Sequence, residues 1–360
     1  MLHIGMGNNK IDDSVGIFDL PEVTTCPGAG ECVNYCYAIK QAWWGKGYPT
    51  ALNRTDNWRE TYKPSFVHDM VNHIKKHKIK VFRPHMSGDF YDQDYVDKWA
   101  LIARKCPKTV FFAYTKSLNP HINLTPLTTI PTHNFTLIYS EGGKYDSKIK
   151  KTQDNYATVK GTINDKTIAK GEYVCPDIRS SGKKTEKYCG YNCDYCTSDR
   201  DTKLTKTHQI RVVFYQRMGG WTGTILFPRP PSHLIRSLPP LSGAPQTRKT
   251  TQPTKIAWPR KVKGGDPKAY RAELAKAVEA AFAYRHLLLA GFTEQDILQR
   301  TGLEDLSELR REHALKLMKE KVAAEEAPPF VLLHKKRKRH GVKHGPRRKS
   351  KSASRIFHES

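Results

Sequence analysis

Three of the eight cysteines in this chain fall within eleven residues, in Thr25-Cys26-Pro27-Gly28-Ala29-Gly30-Glu31-Cys32-Val33-Asn34-Tyr35-Cys36-Tyr37-Ala38. Proline fixes φ and glycine admits positive φ, so Pro27, Gly28 and Gly30 mark this stretch as a loop. Three thiolates on one loop suit an iron–sulfur cluster in which one iron has no protein ligand. Structural zinc normally closes its tetrahedron with a fourth ligand, which an Asp or His would supply here. Inert thiols are the third reading. The remaining cysteines include a second group, Cys175, Cys189, Cys193 and Cys196, separated by thirteen, three and two residues. Cys193-x-x-Cys196 is the tight half of a tetrahedral site, with Cys189 and Cys175 completing four ligands and leaving no open position. Cys106 stands apart before Pro107 and is expected as a buried free thiol.

Strands and helices must position these loops. Val15-Gly16-Ile17-Phe18-Asp19-Leu20 reads as an extended entry into the first cysteine loop. A polar stretch with Trp43, Trp44 and Trp58 follows, whose rings are expected to cover the loop. Over Ser65–Lys78, Val67, Met70, Val71 and Ile74 recur at i, i+3, i+4 and i+7, predicting an amphipathic helix. Ile79–Met86 reads as a strand, Asp94–Lys105 as a helix, and Thr109–Tyr114, Phe135–Tyr139 and Ile210–Tyr215 as further strands. Alternating helix and strand argues for a parallel sheet covered by helices, as a partial barrel or an open sheet. In such sheets the ligand lies beyond the carboxyl ends of the strands. The segments following those ends are Ser87-Gly88-Asp89, Thr115-Lys116-Ser117 and Ser140-Glu141-Gly142-Gly143, all suited to site loops. Residues 144–174 are polar and weakly patterned.

The chain of 360 residues carries a formal net charge of +26 and a mean hydropathy of −0.65, which predicts a packed part and a substantial unpacked one. Four segments are expected: an α/β domain over 1–220, a Pro-rich linker over 221–265, a helical segment over 266–325 and a basic disordered tail over 326–360. Nine prolines between 228 and 267 mark the linker. Asp266 then reads as an N-cap with Pro267 at the first helical position, a long helix runs to about Ala290, and Gly291 stops it. Thr293 caps a short helix, and Asp305–Val322 is expected as a third. This helical segment reads as a small hairpin in preference to a helix-turn-helix. Residues 1–220 carry a net charge of +10 and residues 221–360 carry +16. His334–Ser360 holds eleven basic residues and one acid, a composition that binds nucleic acid or another polyanion by counterion release. No run of eighteen apolar residues occurs and the first residues have no basic n-region, so neither a membrane span nor a secretory signal is expected. A cytoplasmic location follows, and it favours metal ligation over cystines.

Phe18-Asp19-Leu20-Pro21 followed by Thr-Cys-Pro-Gly-Ala and Cys32-x-x-x-Cys36-Tyr37-Ala38 resembles the phage gene product 88 family over roughly residues 5–215. Val174-Cys175-Pro176, Cys189-Gly190 and Cys193-x-x-Cys196 agree with it. That family brings no defined activity with it, but it implies a phage or prophage protein in a bacterial cytoplasm. The loop is also distantly similar to that of radical S-adenosylmethionine enzymes, which carry three cysteines after the first strand of a partial α/β barrel. Tyr35 stands where those enzymes place an aromatic residue beside adenine. Ser87-Gly88-Asp89 stands where their Gly-Gly-Glu-like turn holds the methionine ammonium. The spacing here, C-x5-C-x3-C, is longer than their C-x3-C-x2-C, so the loop would have to be rebuilt. The resemblance implies a 4Fe–4S cluster on Cys26, Cys32 and Cys36, with S-adenosylmethionine on the fourth iron. Tyr35, Ser87, Gly88 and Asp89 would bind that cofactor, with Asp89, Lys116 and Glu141 as catalytic candidates. A second cluster or zinc would sit on Cys175, Cys189, Cys193 and Cys196. The competing expectation is a non-catalytic, zinc- or cluster-stabilised phage protein that binds nucleic acid through its tail.

Overall fold

The structure is a computed structural model that describes residues 1–8, 11–39, 48–160, 171–175, 193, 195–196, 209–215 and 266–326. Among the described residues, eight strands form one sheet in the order β1-β2-β3-β4-β5-β6-β8-β7. They are β1 (Ile4–Met6), β2 (Val15–Phe18), β3 (Val81–Pro84), β4 (Val110–Thr115), β5 (Phe135–Ser140), β6 (Tyr156–Lys160), β7 (Tyr173–Val174) and β8 (Arg211–Tyr215). Among these described strands, only β1 is antiparallel to its neighbour; every other pairing is parallel. From β2 to β6 each new strand is added on the same edge. A right-handed crossover then lays every connecting helix on the same face, so the sheet is singly wound and has no reversal of strand order in that run.

The two sheet faces follow from the two-residue period of a strand. Phe18, Phe82, Phe111, Ala113, Phe135 and Leu137 point to the helix face and are buried there. They pack against α2 (Phe66–Lys76) and α3 (Gln93–Lys105). Trp99 of α3 is the hub, with its ring centroid within 6.3 Å of those of Phe18, Phe66, Phe82 and Phe111. Cutting such a side chain to alanine costs about 3–5 kcal/mol. The opposite face carries Ile17, Phe112, Tyr114, Ile138 and Val212, against which Tyr195 and Cys196 lie.

Most elements read from the sequence are present, with shifted ends. The helix predicted over Ser65–Lys78 is α2, burying Phe66, Met70, Val71 and Ile74. Asp92 caps α3 by accepting from the Tyr95 N–H at 2.8 Å. Two elements have no apolar period to announce them. One is α1 (Tyr48–Thr61), which buries Arg54, Thr55 and Asn57 beside Trp58. The other is β6, inside the stretch read as weakly patterned. Trp58 is fully buried in the main core, while Trp43 and Trp44 lie outside the described residues. A one-turn helix α4 (Thr125–Thr128) precedes β5.

The carboxyl-terminal helices are α5 (Pro267–Leu289), α6 (Glu294–Thr301) and α7 (Arg311–Glu326). Gly291 and Gly302 take φ of +85° and +71°, and Thr293 forms a capping box with Asp296. The helix expected over Asp305–Val322 is instead a 3-10 turn over Leu306–Glu308 followed by α7, because Leu309 is extended between them. Ala280, Ala283, Leu287, Phe292, Leu306, Leu317 and Met318 belong to the same buried cluster as Trp58 and Trp99. The segment read as a helical unit beyond a linker therefore shares the core of the sheet domain. The proposed linker over 221–265 and the tail beyond 326 lie outside the described residues. Among the described residues, no helix is long and apolar enough to cross a membrane.

Candidate functional site

The first cysteine loop leaves β2 and is laid across the carboxyl ends of β3, β4 and β5. Leu20 donates its N–H to the Ser87 carbonyl at 2.9 Å, and the Asp89 N–H donates to the Thr25 carbonyl at 3.1 Å. Lys144 N–H donates to the Gly28 carbonyl at 2.9 Å, Cys32 N–H donates to the Gly142 carbonyl at 2.8 Å, and Ala29 bridges Gly143. The three strand-end segments singled out from the sequence are thus the walls on which the loop rests. Gly28 permits this approach: a Cβ there would stand 1.7 Å from the Lys116 carbonyl oxygen. Gly88, at φ +80°, turns the chain under Leu20, whose Cβ would meet a side chain at 2.5 Å. A 3-10 turn over Glu31–Tyr35 then carries Cys32 to Cys36, and Tyr35 ends that turn through its backbone.

Cys26, Cys32 and Cys36 are free, partly buried thiols that feel one another's charge. Burial pushes Cys26 well above the usual thiol range, and Asp89, Cys36 and Cys32 push it further. Burial also raises Cys32, with the Lys116 ammonium pulling the other way. Cys36 is pushed up to about 11 by burial, and N–H groups of Ile39 and Ala38 hold it down against Cys32 and Glu22. Among the described residues, no three His, Cys, Asp or Glu side chains stand in metal-holding geometry.

Around the thiols, Asp89 is buried and already engaged. Its Oδ1 accepts from Thr115 Oγ1 at 2.7 Å and Phe90 N–H at 2.8 Å, and Oδ2 accepts from Lys116 N–H at 2.7 Å. Burial raises its pKa against those bonds. It acts as a strut between the ends of β3 and β4, with lone-pair capacity left on Oδ2. Lys116 Nζ donates to Ser140 Oγ at 2.5 Å. Ser87 Oγ is buried with no partner. Glu141 sits on the rim, paired with Lys151 at 2.5 Å. Two groups at this site have weak signals in the sequence. Asp146 accepts from both Gly142 and Gly143 N–H at 2.8 Å and fixes that turn; the Gly-Gly-x-x-Asp spacing is its only mark. Glu22, Arg54 and His286 form a buried set behind the loop, with Arg54 Nη1 donating to Glu22 at 3.0 Å and His286 Nε2 3.7 Å from it. Through that set, and through Leu274, Val278 and Phe282 packed with Val23 and Ile39, α5 roofs the loop next to Cys36.

The second cysteine group lies elsewhere, on the face of the sheet opposite the helices. Cys196 accepts from the Tyr114 hydroxyl at 2.9 Å, and Cys175 shares its apolar cluster. Cys193 stands 4.0 Å from the Tyr173 hydroxyl. Cys189 lies outside the described residues. Cys106 is a buried free thiol in the main core, as expected.

A singly wound, mostly parallel α/β sheet with a cysteine loop fastened over its strand ends defines the class of protein. The profile of the family described as Gene product 88 matches residues 4–220, and the chain belongs to that family. Among curated proteins it is 29% identical over 129 residues to the Gene 88 protein of Mycobacterium phage L5, covering 32% of this chain and 53% of the relative. The Gene 88 protein of Mycobacterium phage D29 is 30% identical over 129 residues, with the same coverage. The chain thus spans about half the length of the curated relatives it matches. No solved structure matches it.

Proposed function

We propose that Cys26, Cys32 and Cys36 hold an iron–sulfur cluster with one iron open, and that the chain is an enzyme of the radical S-adenosylmethionine type. The observation that carries this reading is the seat of the loop: the segment bearing the three thiols is fastened by backbone hydrogen bonds across the carboxyl ends of the parallel strands. The donor set suits such a group in kind, being three thiols of one loop, and the loop must draw its sulfurs together on loading. A cluster held there by Cys26, Cys32 and Cys36 would supply one-electron chemistry to a bound sulfonium. The chain's own residues have separate tasks. Lys116 offsets the negative charge that develops on Cys32. Ser87 Oγ offers an unused hydroxyl, and the remaining acceptor capacity of Asp89 would take an ammonium group. The roof made by α5 packs beside Cys36, which stays partly exposed.

Anaerobic purification with iron and acid-labile sulfide analysis tests this directly. Equal iron and sulfide are expected, with 5′-deoxyadenosine formed when dithionite and S-adenosylmethionine are added. Cys32→Ala should lose the cluster absorbance. An iron-free chain carrying one or two zincs, or a Cys32→Ala spectrum identical to that of the parent, overturns the proposal.

A further inference from the structure

Arg83 lies one residue from the end of β3, opposite Ile17 of β2, on the sheet face that carries no helices among the described residues. Its guanidinium carbon stands 5.0 Å from the ring centroid of Tyr114 and 5.6 Å from that of Phe112. The side chain is only partly buried, yet its Nε is fully enclosed and has no hydrogen-bond partner. The other arginines with an enclosed Nε are compensated elsewhere: Arg54 pairs with Glu22, and Arg311 pairs with Glu312. Arg83 makes no hydrogen bond or ion pair with the described residues. The carboxylate that feels its charge, Asp19, is committed to the N–H groups of Met86 and Ser87 at 2.9 and 3.0 Å and stands 3.9 Å from Arg54.

An arginine held by two aromatic faces keeps all five N–H donors free while its orientation is fixed. A buried donor with no acceptor is destabilising, so a fold tolerates it where something outside the chain completes it. We infer that Arg83 is the anion-binding residue of a ligand site on this sheet face, taking the oxyanion, carboxylate or phosphate, of a small molecule. Beside it Ile17, Phe112 and Ile138 are buried, with Cys196 and Tyr195 packed on that face, so the partly exposed guanidinium itself is what meets the ligand. Its planar fork grips the oxyanion of that molecule. The site stands apart from the first cysteine loop and needs no metal: Arg83, Phe112 and Tyr114 stand on β3 and β4, with Cys196 of the second cysteine group against Tyr114.

The test uses the full chain, with benzoate and inorganic phosphate as probes at ionic strength held constant with chloride. Calorimetric titration and thermal melts are run on the parent chain, Arg83→Gln and Arg83→Lys. The basic tail is common to all three, so non-specific anion binding cancels. Saturable binding of benzoate or phosphate is expected in the parent, at least tenfold weaker in Arg83→Gln and intermediate in Arg83→Lys. Benzoate alone binding identifies the carboxylate; phosphate alone identifies the phosphoryl group. Ligand-free Arg83→Met should melt at or above the parent temperature, since no internal bond is lost. Cys32→Ala should keep the anion response, which separates this site from the fate of the cluster. Equal responses of parent and Arg83→Gln, no response of the parent to either anion, or a large drop in the melting temperature of Arg83→Met overturns the inference.

Discussion

Gly28→Ala tests whether the cysteine loop is seated on the strand ends as described. The added methyl would stand 1.7 Å from the Lys116 carbonyl oxygen and 2.4 Å from its carbonyl carbon. The first distance is about half the roughly 3.5 Å at which non-bonded atoms rest. Both partners are backbone, so no side chain can rotate away. Either the loop lifts, breaking the bonds from Lys144 to Gly28 and from Cys32 to Gly142, or the end of β4 moves and takes Asp89 with it. Over-packing with loss of two such bonds costs about 3 kcal/mol or more, roughly 6–12 °C in melting temperature for a domain of this size. Gly291→Ala is the control. Its Cβ meets nothing, and only its φ of +85° opposes alanine, a penalty of about 1–2 kcal/mol. Differential scanning calorimetry compares the two, with iron content measured alongside. A Gly28→Ala chain as stable as Gly291→Ala, with iron uptake undiminished, would refute the seating of the loop.

Two further outcomes are expected. His85 is buried with Nε2 2.9 Å from the Tyr95 hydroxyl, and burial, then the Arg83 charge, hold its pKa down at about 3 against 6.5 unfolded. The unfolded chain therefore takes the proton first: this contribution to stability is whole above about pH 6.5 and declines as pH falls toward 3. The slope from this one group is about 1.4 kcal/mol per pH unit. His85→Gln should flatten urea-unfolding free energies between pH 6.5 and 4.5, leaving the same-signed contribution of His286, and parallel profiles would count against the assignment. Deleting residues 327–360, with their eleven basic residues to one acid from 334 onward, should weaken binding to duplex DNA at low salt about tenfold or more. It should also flatten the dependence of affinity on salt in a filter-binding assay; an unchanged slope would assign that binding to residues 1–326.

The sequence by itself settled the period-bearing elements. Val67, Met70, Val71 and Ile74 mark α2, Asp266-Pro267 and Gly291 bracket α5, and Phe-rich strands alternate with helices, because these signals are local. It also marked the three strand-end segments and the cysteine loop, whose residue types have few other uses at such spacing. Tertiary structure alone decided the rest. The polar α1 is a helix because Arg54, Thr55 and Asn57 find buried partners far along the chain. The helices beyond residue 266 join the main core and roof the cysteine loop, although some fifty residues of unlike composition precede them. Arg83 reads in the sequence as one more strand-end cation. Only the stacking of β3 against β4 gives it two aromatic faces and leaves its donors without an acceptor, because what a charge lacks depends on everything packed around it.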